Sequence, residues 1–177
     1  MTAVAGATQY DRLMAAARDP ADIATLALGG VLSRFHIQGL DASTLRRLYR
    51  RYFPGSLPAS DIGTVCTALA DADFADLLGL LHEHRRDDTE ETKWVARAVA
   101  SACAGENHLW EDMGLPSRDT LSQLIRRYFT TLYYKNSGNL RWKKFFYKQL
   151  CDRADARLCK APSCGVCSDY AQCFGPE

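Results

Sequence analysis

Apolar side chains recur at three- and four-residue intervals through almost all of this 177-residue chain, and no stretch alternates convincingly as a strand would. That period lines one face of a helix, so the sequence is confined to an all-α fold. It is expected to form a small bundle of about six helices. Residues 1–157 read as the bundle, and residues 158–177 as an irregular cysteine-rich segment packed on it. The length suits one packed core with a short appendage.

Local signals place the helices. Asp19 and Pro20 read as an N-cap and first-turn pair opening a helix towards Phe35. Asp41 or Ser43 caps a second, with Leu45, Leu48, Tyr49 and Tyr52 on one face and four arginines largely off it, ended by Pro54. A third, with Asp71 as a cap, carries Phe74, Leu77, Leu78 and Leu81. A fourth starts near Thr89, presents Trp94, Val95, Ala98, Val99 and Ala102, and is terminated by Gly105. Ser117 caps a fifth, with Leu121, Leu124, Ile125, Tyr128 and Phe129 inward. After NSGN, a sixth runs from Leu140 to about Ala154.

The segments GLDASTLRRLYRRYF from Gly39 and GLPSRDTLSQLIRRYF from Gly114 align with a one-residue offset. Two readings stay open: a duplicated helical hairpin, or coincidence from shared helix patterning.

Charge and hydropathy narrow the class of partner. The net charge of +1 gives no electrostatic reason to favour DNA, and the RRYF faces lack a nucleic-acid recognition module. No apolar run approaches the ~20 residues that cross a bilayer. MTAVAGATQYDRL lacks a basic start and an apolar centre, so no secretory signal is expected. Neither a nucleic-acid nor a membrane partner is expected, and the chain reads as cytoplasmic. In that reducing setting, clustered cysteines point to metal more often than to disulfides.

Four of the seven cysteines form one run, Cys159, Cys164, Cys167 and Cys173, spaced C-x4-C-x2-C-x5-C. Four soft thiolates this close can surround one metal centre unaided. Gly165 permits a tight turn inside the C-x2-C pair, and Pro162 stiffens the approach. The first three match the triplet of plant-type two-iron ferredoxins, but there the fourth ligand lies far downstream and the fold is strand-rich. Spacing alone leaves a cubane-type cluster and zinc level. From Asn139 onward the charge is +3, against −2 for the rest, which favours anionic cargo beside the thiolates. The plainer reading, the solvated face of an amphipathic helix, weighs equally. Cys66 and Cys103 sit in apolar helical stretches and read as core residues.

RWKKFFYKQLC (Arg141 to Cys151), the cysteine run through FGPE, ENHLWEDMGL (Glu106 to Leu115) and LLHEHR (ending at Arg85) resemble the NifQ family of nitrogen-fixation accessory proteins. The resemblance covers most of the chain from about Leu77. It implies a molybdenum donor for biosynthesis of the nitrogenase iron–molybdenum cofactor, a carrier rather than an enzyme. The implied cargo is a molybdenum–iron–sulfur cluster of the Mo-Fe3-S4 type, or its 4Fe-4S or 3Fe-4S precursor. Cys159, Cys164, Cys167 and Cys173 become its cluster ligands. The implied partners are the cofactor scaffold protein, the nitrogenase reductase and a molybdenum supply. The rival reading is a zinc-stabilised helical adaptor that binds a protein or nucleic acid.

Three further residues are candidate metal ligands. His108, in ENHLWED, could bring an imidazole to molybdenum or cap and pack between helices. Cys151, eight residues before Cys159, could bind a precursor cluster or pack under the last helix. His84 enters through the family resemblance. His82 lies two positions away and so points to another side of the helix; it and His36 read as surface residues. Trp142, Phe145 and Phe146 are expected to fasten the last helix to the bundle. No Gly-rich phosphate loop, nucleophile elbow or acid/base carboxylate pair is present.

Overall fold

The computed structural model describes residues 7–56 and 72–154. Within them the chain is helical, with nine helices and no strand: α1 (Gln9–Ala15), α2 (Ile23–Arg34), α3 (Ala42–Tyr52), α4 (Ala72–Glu83), α5 (Glu90–Ala102), α6 (Leu109–Asp112), α7 (Arg118–Tyr128), α8 (Thr130–Lys135) and α9 (Trp142–Ala154). The all-α class agrees with the sequence; the count of about six does not. The surplus is α1, α6 and α8, each too short to show an apolar period. Asp71, Cys66 and the whole segment 158–177 lie outside the described residues.

Side-chain caps fix where the longer helices begin. Asp41 accepts from the Thr44 N–H at 2.7 Å, Thr89 from Thr92 at 3.3 Å and Ser117 from Thr120 at 3.2 Å. Each satisfies a backbone donor that has no partner inside its helix. At α2 the cap is Asp22, which accepts from the Thr25 N–H at 3.1 Å, and not Asp19. Asp19 instead closes a turn, its carboxylate accepting from the Ala21 N–H at 3.1 Å. The missed helix α1 carries a reciprocal capping box between Thr8 and Asp11.

α5 is the central element. Trp94, Val95, Ala96, Ala98, Val99, Ala100 and Ala102 are buried on nearly every side of it, as expected of a helix enclosed by neighbours. α2 and α4 pack against it, α1 lies on α2, and α9 lies on α4. Small residues let α2 approach closely: a Cβ on Gly30 would fall 2.0 Å from the Met113 carbonyl oxygen. Gly29 is buried as well, towards Met14 and Phe53.

The two echoing segments adopt the same local geometry. Gly39 and Gly114 have φ of 71° and 66°, and Phe53 and Phe129 end the following helices at φ −130°, ψ 60° and φ −134°, ψ 55°. The Tyr52 carbonyl accepts from the Arg18 N–H at 2.9 Å, and the Tyr128 carbonyl from Arg86 at 2.8 Å. Each arginine before these tyrosines reaches the start of a core helix. Arg127 pairs with Asp22 at 2.8 Å, and Arg51 lies 4.0 Å from Glu91 in the first turn of α5. The Tyr128 hydroxyl donates to Glu91. No helix among the described residues is long and apolar enough to cross a membrane.

Candidate functional site

Cys159, Cys164, Cys167 and Cys173 lie outside the described residues, so what the structure gives is the helix that leads to them and its surroundings. Trp142, Phe145 and Phe146 of α9 are buried in the core, as their apolar character requires. Removing such a ring from water is worth about 2–3 kcal/mol. The Trp142 indole N–H donates to Ser122 Oγ of α7 at 3.1 Å, and the ring stacks on Tyr133 with centroids 6.4 Å apart.

Beside this aromatic anchor is an ionic one. Lys143 Nζ donates to the Gly105 carbonyl at 2.7 Å and to the Asp112 carboxylate at 2.5 Å. Asp112 is only 2% exposed, and its other oxygen accepts from Asn107 Nδ2 at 3.0 Å. Gly105 has no room for a side chain, since a Cβ would sit 2.3 Å from Asp112 Oδ2. Arg118 and Asn136 hold the chain entering α9 by bonds to the Leu140 carbonyl at 3.1 and 2.8 Å. The start of α9 is thereby fixed to α6, α7 and the α5–α6 turn.

His108 is the N-cap of α6, and its backbone N–H donates to Glu111 Oε2 at 3.0 Å. With Glu106, Trp110, Arg141 and Lys144 it lines an open cavity of about 430 Å³. His84 lies at the other end of α9. Its Nδ1 is 2.6 Å from Thr131 Oγ1, and its Nε2 is 3.4 Å from Lys135 Nζ and 3.3 Å from Arg153 Nη2. Burial first, then Lys135 and Arg153, lowers its pKa below the ordinary 6.5. The lead-in residues Arg141 to Lys144 and Arg153 are separated by about 15 Å of helix. His84 and His108 are therefore not brought together.

Cys151 is a free thiol, partly buried in the last turns of α9. Cys103 is buried, and its burial pushes the thiol pKa up to about 12, so it stays protonated and packs as a core residue. His36 is exposed as expected. His82 is not a surface residue: it is half-buried, its Nε2 is enclosed without a hydrogen-bond partner, and burial lowers its pKa. Among the described residues no three His, Cys, Asp or Glu side chains are placed to hold a metal ion. Sequence reading missed the Asp112–Lys143 pair and the meeting of Lys135 and Arg153 at His84. Both join residues far apart in sequence, and neither has a local signature.

A family model described as NifQ matches residues 21–175, a span running through α2 to α9 and the four-cysteine run. Protein NifQ of Azotobacter vinelandii is 41% identical over 155 residues, covering 81% of this chain and 79% of that one. Protein NifQ of Rhodobacter capsulatus is 38% identical over 151 residues, covering 85% and 81%. A NifQ homolog of Sinorhizobium fredii is 36% identical over 138 residues, covering 77% and 60%. No solved structure matches.

Proposed function

The chain belongs to the NifQ family, and from that premise we propose that it serves nitrogen fixation as a molybdenum carrier. It holds molybdenum in an iron–sulfur cluster and donates it for biosynthesis of the nitrogenase iron–molybdenum cofactor. The observation that carries this reading is the C-x4-C-x2-C-x5-C run within the span matched by the family model, a few residues beyond the last described turn of α9. Four thiolates in fifteen residues suit an iron–sulfur cargo by softness and number.

A cubane of three irons and one molybdenum would take one thiolate per iron, three of the four, whereas a 4Fe-4S precursor would take all four. The molybdenum corner then keeps a weaker, exchangeable ligand, as release requires. The bundle supplies a fixed mount. Buried rings and the Lys143–Asp112 pair seat the start of α9, and Arg153 seats its end against Glu83 at 2.7 Å. Such a protein works as a cytoplasmic carrier with no turnover chemistry of its own. Its partners are the cofactor scaffold protein and the nitrogenase reductase.

Donation is tested by supplying the metal-loaded protein as the sole molybdenum source to a cofactor-assembly mixture containing scaffold protein and reductase. Cofactor formation proportional to added protein is expected. Formation that requires free molybdate in equal measure with or without the protein would contradict the proposal.

A further inference from the structure

Three helices meet where the described part of α9 ends, and among the described residues their polar groups do not balance. His84 follows α4, Thr131 and Lys135 belong to α8, and Arg153 lies in the last turn of α9. Lys135 and Arg153 can only donate hydrogen bonds, so His84 Nε2 is their acceptor. The imidazole is therefore neutral, with its proton on Nδ1 and donated to Thr131 Oγ1 at 2.6 Å. One ring nitrogen has a single lone pair, and two cations share it. The carboxylate beside them is Glu83, which is already taken up by Arg153 at 2.7 Å.

We propose that Lys135 and Arg153, steadied by His84, form a docking site for a tetrahedral oxyanion, which the molybdenum-carrier reading above, on which this rests, identifies as molybdate. Both cationic groups approach the same ring nitrogen, so they lie within about 7 Å of each other, a gap that one tetrahedral anion bridges with an oxygen to each. Charge-assisted bonds of this kind are the strong ones, and the guanidinium fork suits paired anion oxygens. Thr131, Lys135 and Arg153 are exposed, so a dissolved anion reaches them directly. His84 is the positioning residue: it holds both cations on one spot without cancelling their charge.

Location gives the site its use. Arg153 precedes Cys159 by six residues, a length of chain that spans at most about 20 Å when fully extended. The site is thus close in sequence to the thiolates that the carrier reading assigns to the cluster. It is bound and not transformed; no bond forms or breaks at this site.

The test is calorimetric titration of sodium molybdate into the full-length, metal-free protein, without oxygen and without added thiol. One molybdate per chain is expected. Lys135→Gln/Arg153→Gln should weaken it at least about tenfold, the loss of one or two charge-assisted bonds. Cys164→Ala/Cys167→Ala should leave it unchanged, and Glu83→Gln should tighten it by freeing Arg153. If the double variant fails to fold, Lys135→Gln alone carries the same sign, because Lys135 is an exposed residue of α8. Absence of molybdate binding overturns the proposal. So does binding that survives the cation variants but is lost with the cysteines, or that a hundredfold excess of sulfate displaces. Failure of the carrier reading looks different: protein isolated from cells lacks iron and molybdenum, while the titration is unaffected.

Discussion

Lys143 and Asp112 form a buried ion pair at 2.5 Å, their side chains 17% and 3% exposed. It ties the helix that leads to the cysteines to the short helix α6. Buried pairs of this kind are a poor source of net stability, because desolvation offsets most of the attraction. Their removal is another matter. Lys143→Ala strands a buried carboxylate whose other oxygen accepts from Asn107. The expected loss is about 3 kcal/mol in urea unfolding, with the transition still cooperative. A midpoint indistinguishable from the unmutated protein would show that the pair is not formed in solution.

Two glycines should respond with opposite signs. A Cβ at Gly30 meets the Met113 carbonyl oxygen at 2.0 Å and Gly114 Cα at 2.9 Å, backbone atoms that cannot step aside. Gly30→Ala should destabilise by about 1–3 kcal/mol through forced separation of α2 from the α6–α7 turn. At Gly79, inside α4, a Cβ meets nothing within 4 Å. Gly79→Ala should stabilise by about 0.5–1 kcal/mol through helix propensity. Thermal melts of the two variants measure both; equal shifts would refute the packing described for α2.

Stability should fall on acidification between neutral pH and about pH 5, ahead of carboxylate titration. Burial, followed by Arg85, Arg97 and Lys93, lowers the His82 pKa below 6.5. Below that value the unfolded chain takes up a proton that the folded state refuses, so stability present above pH 6.5 is lost as pH falls towards the depressed folded pKa. His84 contributes in the same direction. Urea midpoints at pH 7.5 and 5.5 should converge in His82→Gln relative to the unmutated protein. An unchanged gap would mean that His82 is solvated.

Much of the bundle was legible because its signals are local. Asp41, Thr89 and Ser117 each stand three residues before the backbone N–H they cap, and the inward faces of α3 and α7 follow a 3.6-residue period. Asp22 competed with Asp19, and only the turn at residues 19–22 decides between them. The helices α1, α6 and α8 have seven, four and six residues, too few to establish a period. The site divides similarly. The cysteine run is a spacing and was read as one. The neutral His84 between Lys135 and Arg153 spans 69 residues of sequence and exists only once α4, α8 and α9 have packed.

Removing two thiolates should separate cargo from fold. With Cys164→Ala/Cys167→Ala, bound iron should be lost while the helical circular-dichroism signal stays within about a tenth of the unmutated value, because buried side chains of α1 to α9 form a core of their own among the described residues. Global unfolding of the variant would instead identify the run as a structural staple, in the manner of a zinc site.

The central claim is that this chain carries molybdenum on an iron–sulfur cluster. It is tested most directly by purifying the protein without oxygen from cells fixing nitrogen, then quantifying iron, sulfide, molybdenum and zinc alongside electron paramagnetic resonance. Iron and sulfide in near-equal amounts, molybdenum bound to the same protein and an iron–sulfur resonance are the expected result. Stoichiometric zinc with neither iron nor molybdenum would contradict it.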